Sequence, residues 1–204
     1  MKIALFGATG RVGENILRYA LDDGHHLKVL VRSKSHFDHP NLETIVGDIR
    51  NAQDVEKTID GTEAVFSAIG TDRTTTLSES IPLIINAMKA KRIRRIITIG
   101  TAGILNSRLS PGSMRFQGGD SNRKLTFAAE EHAAVFHLLE KTNLDWTIVC
   151  PTYLPDGKAY GNYRIERDYL PEGGKQITVG DTAEFTYKQL ENPEFIGSRV
   201  GIAY

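Results

Sequence analysis

The feature that most restricts how this chain can fold is a glycine-spaced turn between an apolar run and a helical repeat. Lys2-Ile3-Ala4-Leu5-Phe6 contains no breaker and runs straight into Gly7-Ala8-Thr9-Gly10-Arg11-Val12-Gly13. Beyond it, Val12, Ile16, Leu17, Tyr19, Ala20 and Leu21 recur at roughly helical spacing until Gly24, so the stretch reads as strand, tight turn, helix. The spacing is G-x-x-G-x-x-G, not the commoner G-x-G-x-x-G, but the tasks are the same. One glycine lets the chain turn off the strand, one lets backbone approach a pyrophosphate, and one lets the helix pack close to the sheet. The free N–H groups of the first helical turn, at the positive end of its dipole, then face the phosphates. Taken alone, such a turn is also an ordinary strand-to-helix connection. Its place after a buried-type strand, and the stretch that follows, turn the reading toward a nucleotide.

That stretch is Leu27-Lys28-Val29-Leu30-Val31-Arg32-Ser33-Lys34. An acidic residue about 20 positions beyond the glycines would hold the ribose 2′-hydroxyl of NAD, whereas an arginine accommodates a 2′-phosphate. Here the strand ends in Arg32, Ser33 and Lys34 with no carboxylate, and a planar guanidinium matches phosphate geometry. NADP(H) is expected in preference to NAD(H).

The chain has 204 residues, and 25 basic side chains balance 25 acidic ones. That length suits one domain over 1–204 with a substantial core. Zero net charge supplies no field to attract nucleic acid or an anionic membrane, and no segment approaches the ~18 consecutive apolar residues of a membrane span. A strand starting at residue 2 leaves no room for a signal peptide, so a cytoplasmic protein is expected, a monomer or weak homo-oligomer. Cys150, the single cysteine, excludes an internal disulfide and a cysteine-based zinc site; lying at the end of an apolar run, it reads as buried and inert. No metal site is expected.

Apolar runs and helical patterns alternate onward. Further strands are read at 43–46, 63–69, 95–99 and 146–150, with helices at 51–59 (Asn51 as N-cap), about 78–91, and 125–142. Near-continuous β-branched strands between helices imply a Rossmann-like, doubly wound parallel sheet in three α/β/α layers. The part after Pro151 is less regular: strands at 162–167 and 176–179 joined across Pro171–Gly174, a helix at 181–190 capped by Asp181, and a last strand at 200–204. Ser107 to Lys124 breaks the rhythm, as a lid over a site or a plain surface loop, and receives no chemistry. Ligands of such sheets bind beyond the carboxyl ends of strands. This directs attention to Gly7–Gly13, Arg32-Ser33, Asp48-Ile49, Ala68–Gly70, Thr101 and Pro151–Tyr153.

Together these residues resemble the atypical short-chain dehydrogenase/reductase superfamily in its NmrA-like, NAD(P)-binding branch. The resemblance is carried by Gly7–Gly13, Leu30-Val31-Arg32-Ser33, Val46-Gly47-Asp48-Ile49, Ile69-Gly70, Asn86–Ala90, and Leu144–Val149 before Pro151. Within it the nearest pattern is the biliverdin-IXβ/flavin reductase family, matched in length, in Glu130-Glu131-His132, and in the short ending after Asn192-Pro193-Glu194. The resemblance implies that the backbone of Thr9, Gly10, Arg11 and Val12 holds the pyrophosphate and Arg32 with Ser33 the 2′-phosphate. It further places Asp48 and Ile49 beside the adenine, Ala68, Ile69 and Gly70 beside the ribose, and Pro151, Thr152 and Tyr153 on the nicotinamide side.

The superfamily's usual catalysts are a serine and a Tyr-x-x-x-Lys. Here the matching positions are Thr101, Ala128 and His132, so ordinary carbonyl-reductase chemistry lacks its acid. His132 matches a histidine of the biliverdin/flavin reductases; their second, after the sixth strand, is Tyr153 here. As a switch near pH 6.5, His132 could donate a proton, or it could be a plain helix-surface histidine; Thr101 and Tyr153 could contact the acceptor or simply pack. His137 lies about 140° round the helix from His132, so the two do not form a metal clamp. Three functions follow. The first is an NADPH-dependent reductase of a flavin, quinone or tetrapyrrole-like acceptor, with residues 151–204 helping to build the acceptor pocket. The second is a non-catalytic NADP(H) sensor, and the third a nucleotide-sugar epimerase or dehydratase, which the short carboxy-terminal part disfavours.

Overall fold

A computed structural model describes residues 1–33, 37–71, 73–120 and 125–204. Lys34 and His36, as well as Lys124 of the irregular segment, lie outside the described residues. Eight strands form one sheet: β1 (Lys2–Phe6), β2 (His26–Val31), β3 (Leu42–Val46), β4 (Ala64–Ser67), β5 (Arg95–Ile99), β6 (Asp145–Pro151), β7 (Arg164–Arg167) and β8 (Ser198–Ala203). Their order is β3-β2-β1-β4-β5-β6-β8-β7. All neighbours are parallel except the β7–β8 pair, the doubly wound α/β architecture expected of the strand–helix alternation.

Side-chain alternation along each strand builds two cores. Ile3 and Leu5 of β1, with Phe66 and Ile97, meet Ile16, Leu17 and Ala20 of α1 (Arg11–Asp22) and Ala183 of α6 (Val179–Lys188). Ala4 and Phe6, with Val65, Ile96 and Ile148, meet α2 (Ala52–Ile59), α3 (Thr76–Ala90) and α5 (Phe127–Leu139). The central strands β1, β4, β6 and β8 are therefore buried almost throughout, which is why their runs are apolar, whereas the edge strands β3 and β7 are largely exposed.

The chain reverses its direction of winding between β1 and β4, whose registers place Phe6 beside both Leu30 and Ser67. This switch point opens a crevice at the carboxyl ends of the strands.

Two expectations for the carboxy-terminal part are corrected. Residues 176–179 form no strand paired with 164–167; β7 pairs antiparallel with β8, and Gln176 makes a single bridge to Tyr153. The alternation Gln-Ile-Thr-Val ends where Thr178 becomes the N-cap of α6, its Oγ1 accepting from the Asp181 N–H at 3.2 Å. Asp181 is thus not the cap but a buried first-turn carboxylate, accepting from the N–H groups of Tyr160 (2.8 Å) and Gly161 (2.7 Å). The irregular segment is also more built than a plain loop. Asn106 bridges to Met114, residues 115–118 form the short α4 (Arg115–Gly118), and Arg108 pairs with Glu166 at 2.6 Å.

Candidate active site

Gly7 ends β1 at φ +82°, a conformation that disfavours side chains. A Cβ there would stand 2.5 Å from the Ala68 carbonyl oxygen, so the exits of β1 and β4 touch at the switch point. Gly10 is the extended N-cap of α1, donating to the Gly7 carbonyl at 3.0 Å and accepting from the Glu14 N–H at 2.8 Å. A Cβ on Gly13 would overlap the Gly7 carbonyl, which is how the third glycine seats the helix against the turn. Asn51 and Thr178 cap α2 and α6 with side-chain oxygens, but no side chain caps α1. α3 and α5 share that lack; at α1 the first-turn N–H groups mark the positive end of the helix, where an anion is favoured.

A cleft of about 320 Å³ opens from this turn. Gly7, Thr9, Gly10, Arg32, Asp48, Ile49, Ala68, Ile69 and Gly70 line it, as do Leu30, Val31, Gly47, Arg50 and Thr76. Its far wall is held by carboxylates. Asp54 accepts from the Asp48 N–H at 2.9 Å and fills the space that a Cβ on Gly47 would need. Asp48 Oδ1 accepts from the Arg50 N–H at 2.9 Å, and the Arg50 guanidinium bonds Glu79 (2.6 Å) and Thr76 (2.8 Å). Arg50 and Thr76 had no sequence signal beyond following Asp48-Ile49 and opening α3.

Val12 and Gly13 are buried in the first turn of α1. Ser33 is exposed beside Arg32 but does not line the cleft. Arg11 reaches away from the cleft to the loop after β6, donating to the Leu154 carbonyl at 3.0 Å and to Asp156 at 2.8 Å.

A smaller hollow, about 90 Å³, lies beyond β5 and β6. Thr101, Ala102, Gly103 and Thr152 line it, together with Arg115 and Phe116 of α4 and Leu125, Thr126, Ala128 and Ala129. Thr101 accepts a long bond from the Gly103 N–H at 3.5 Å. Thr152 donates to the Lys175 carbonyl at 3.4 Å, and Pro151 is buried as the last residue of β6.

The three candidate catalysts are not brought together. Thr101 lines the hollow, whereas Tyr153 is 58% exposed and lines neither cavity. His132 is buried within α5, and desolvation pushes its pKa down to about 4. The expectation of a proton switch near pH 6.5 is corrected accordingly: at neutral pH the ring is an uncharged core group. The residue one turn earlier, Ala128, does line the hollow. Cys150 is buried, its thiol pushed up to about 12 by desolvation, and is inert as expected.

A family described as NAD(P)H-binding matches residues 7–193, and the chain belongs to it. YwnB, an uncharacterized protein of Bacillus subtilis (strain 168), is 25% identical over 98% of this chain and 96% of its own length. Among solved structures, a protein of Streptococcus pneumoniae TIGR4 provisionally named an NADH-flavin reductase superposes with a TM-score of 0.85 at 25% identity, covering 100% of this chain and 99% of its own. A provisionally named epimerase from Bacteroides thetaiotaomicron gives 0.84 at 26% identity, covering 100% and 96%. Among the described residues no helix is long and apolar enough to cross a membrane.

Proposed function

We propose that this protein is an NADPH-dependent reductase of a planar, conjugated acceptor such as a flavin, a quinone or a tetrapyrrole-like molecule. The observation that carries the reading is the pairing of a cleft in which Arg32, and no carboxylate, follows β2 with a hollow lined by Ala128 at the position matched to the superfamily's tyrosine. When bound, NADPH supplies a hydride, and the acceptor takes one further proton from solvent. The first turn of α1 binds the pyrophosphate, and Arg32 with Ser33 binds the 2′-phosphate as a charge-assisted fork. Asp48 and Ile49 wall the adenine, Ala68 to Gly70 the ribose, and Thr152 the nicotinamide side. Residues 1–204 act as one unit, with 151–204 supplying part of the acceptor wall.

A conjugated acceptor spreads the incoming electrons over its ring, so positioning does most of the work and a strong acid at Ala128 is dispensable. The name of the Streptococcus pneumoniae neighbour supports this class. The name of the epimerase neighbour points to a sugar nucleotide instead, the second reading.

The test is calorimetry with NADPH and NADH, followed by an acceptor screen read at the nicotinamide absorbance. A reductase gives tighter NADPH binding and enzyme-dependent loss of absorbance with FMN, FAD or a quinone. Tight NADPH binding with no turnover on any acceptor would make the protein a cofactor sensor.

A further inference from the structure

The proposed chemistry leaves one demand unmet. A hydride brings the acceptor two electrons and one proton, so as its new bond forms a π pair shifts onto a conjugated oxygen or nitrogen, which becomes anionic until solvent protonates it. In the hollow beyond β5, Ala128 offers no acid. What the hollow does contain is a cation.

Arg115, the first residue of α4, lines it together with Thr101, and its side chain is only 17% exposed. Three features hold the guanidinium in place. Arg115 N–H donates to the Leu105 carbonyl at 2.8 Å, fixing the start of α4 against the segment that follows Thr101. Its Nη2 donates to the Asp120 carbonyl at 3.3 Å, and Nη1 stands 3.5 Å from Asp120 Oδ1. Asp120, which also accepts from Ser107 Oγ and the Arg108 N–H, is the ion-pair partner that orients the guanidinium. Phe116 beside it makes that wall apolar, and Thr101 donates to no acceptor among the described residues. A guanidinium held by its ion pair and a hydroxyl that line one small hollow supply N–H and O–H donors to an anion there, an effect strongest where a bound acceptor excludes water.

We infer that Arg115, with Thr101 as a neutral donor, is the catalytic group that stabilises the negative charge arriving on the acceptor, in place of the missing proton donor. This rests on the reductase reading and narrows it: the acceptor must present to this hollow an atom that becomes anionic on reduction, such as a quinone oxygen or a flavin ring amide. An acceptor whose reduction leaves no delocalised anion would be a poor substrate.

The test uses the full chain loaded with NADP⁺ and a probe that needs no turnover. 4-Nitrophenol ionises to a coloured phenolate, and its apparent pKa when bound reports the charge of the hollow. In the unaltered protein it should fall by at least one unit; in Arg115→Gln the fall should vanish, while Arg115→Lys keeps part of it. Melting temperature and NADP⁺ affinity of each variant report whether the fold and the nucleotide cleft are intact. Turnover of a quinone should drop about 10²–10³-fold in Arg115→Gln, the range for losing one such group, and added guanidinium should restore part of it in Arg115→Gly. A probe shift that is absent in the unaltered protein, or equal in Arg115→Gln, overturns the inference even if quinone reduction persists. Failure of the unaltered protein to oxidise NADPH with any acceptor overturns the reductase reading, and an Arg115-dependent probe shift would still establish the anion site.

Discussion

Gly10 and Gly13 stand three residues apart in one motif, yet the geometry gives them unequal roles. A Cβ on Gly10 would meet the Gly7 carbonyl oxygen at 3.2 Å, a tight contact that a small shift relieves; on Gly13 it would overlap the same atom. Gly10→Ala should therefore keep its melting temperature while weakening NADPH binding, because the methyl group intrudes on phosphate space. Gly13→Ala should lose both, since the helix must move off the turn that orients its N–H groups. Thermal melting beside calorimetry separates the two. His132 supplies a second residue-scale expectation. Its pKa is depressed from 6.5 to about 4 in the folded state, so the unfolded chain binds the extra proton between those values. Its contribution is fully present above pH 6.5 and is lost as pH falls toward 4. At pH 5 the loss amounts to about 2 kcal/mol. Urea melts at pH 7 and pH 5 should show His132→Leu losing correspondingly less stability than the parent, with turnover at neutral pH little changed. A collapse of turnover at unchanged stability would return His132 to the chemistry.

At the scale of elements, the caps decide which segments were legible. Asn51 accepts from the N–H groups of Gln53 (2.8 Å) and Asp54 (3.2 Å), as its position before an apolar repeat implies. Asn51→Ala should cost about 1 kcal/mol and loosen Asp54, whose carboxylate holds the Asp48 turn; a fall in melting temperature together with weaker NADPH binding would register both. The parallel strands were legible because burial on both faces writes an unbroken apolar run. Residues 176–179 were misread because period-two alternation over four residues cannot be told from the approach to a helix cap. Thr178 and Asp181 are both good capping types three apart, and only the fold shows the threonine at the cap with the aspartate buried behind it. α4 spans four residues, too short to show any period. That brevity hid Arg115, because the lining of the hollow comes from a segment with no pattern of its own. The cleft at the switch point, by contrast, is lined largely by residues the sequence singles out, since its walls begin where recognisable strands stop, although Arg11, Ser33 and Thr152 do not line it.

For the molecule as a whole, the cleft sits where the two halves of the sheet diverge, so a ligand there contacts the exits of β1, β2, β3 and β4 together. Because these strands share both cores, occupancy should stabilise the fold globally and not merely order a loop. A ligand that binds only the folded state at 100 times its dissociation constant adds about 2.7 kcal/mol. For a chain of 204 residues that is a rise in melting temperature of about 5–10 °C. If Arg32 contributes one charge-assisted contact to the 2′-phosphate, worth about tenfold to a hundredfold in affinity, NADH at the same concentration should give only about 1–5 °C. Arg32→Ala should then bring the NADPH shift down to the NADH value and leave the NADH shift in place, because the arginine side chain is exposed and belongs to neither core. Differential scanning fluorimetry of the two proteins with the two cofactors reads all four numbers in one experiment. Equal shifts for NADPH and NADH in the unaltered protein would remove the 2′-phosphate role from Arg32. A loss of both shifts in Arg32→Ala would mean that the residue shapes the cleft itself and does not choose between its ligands.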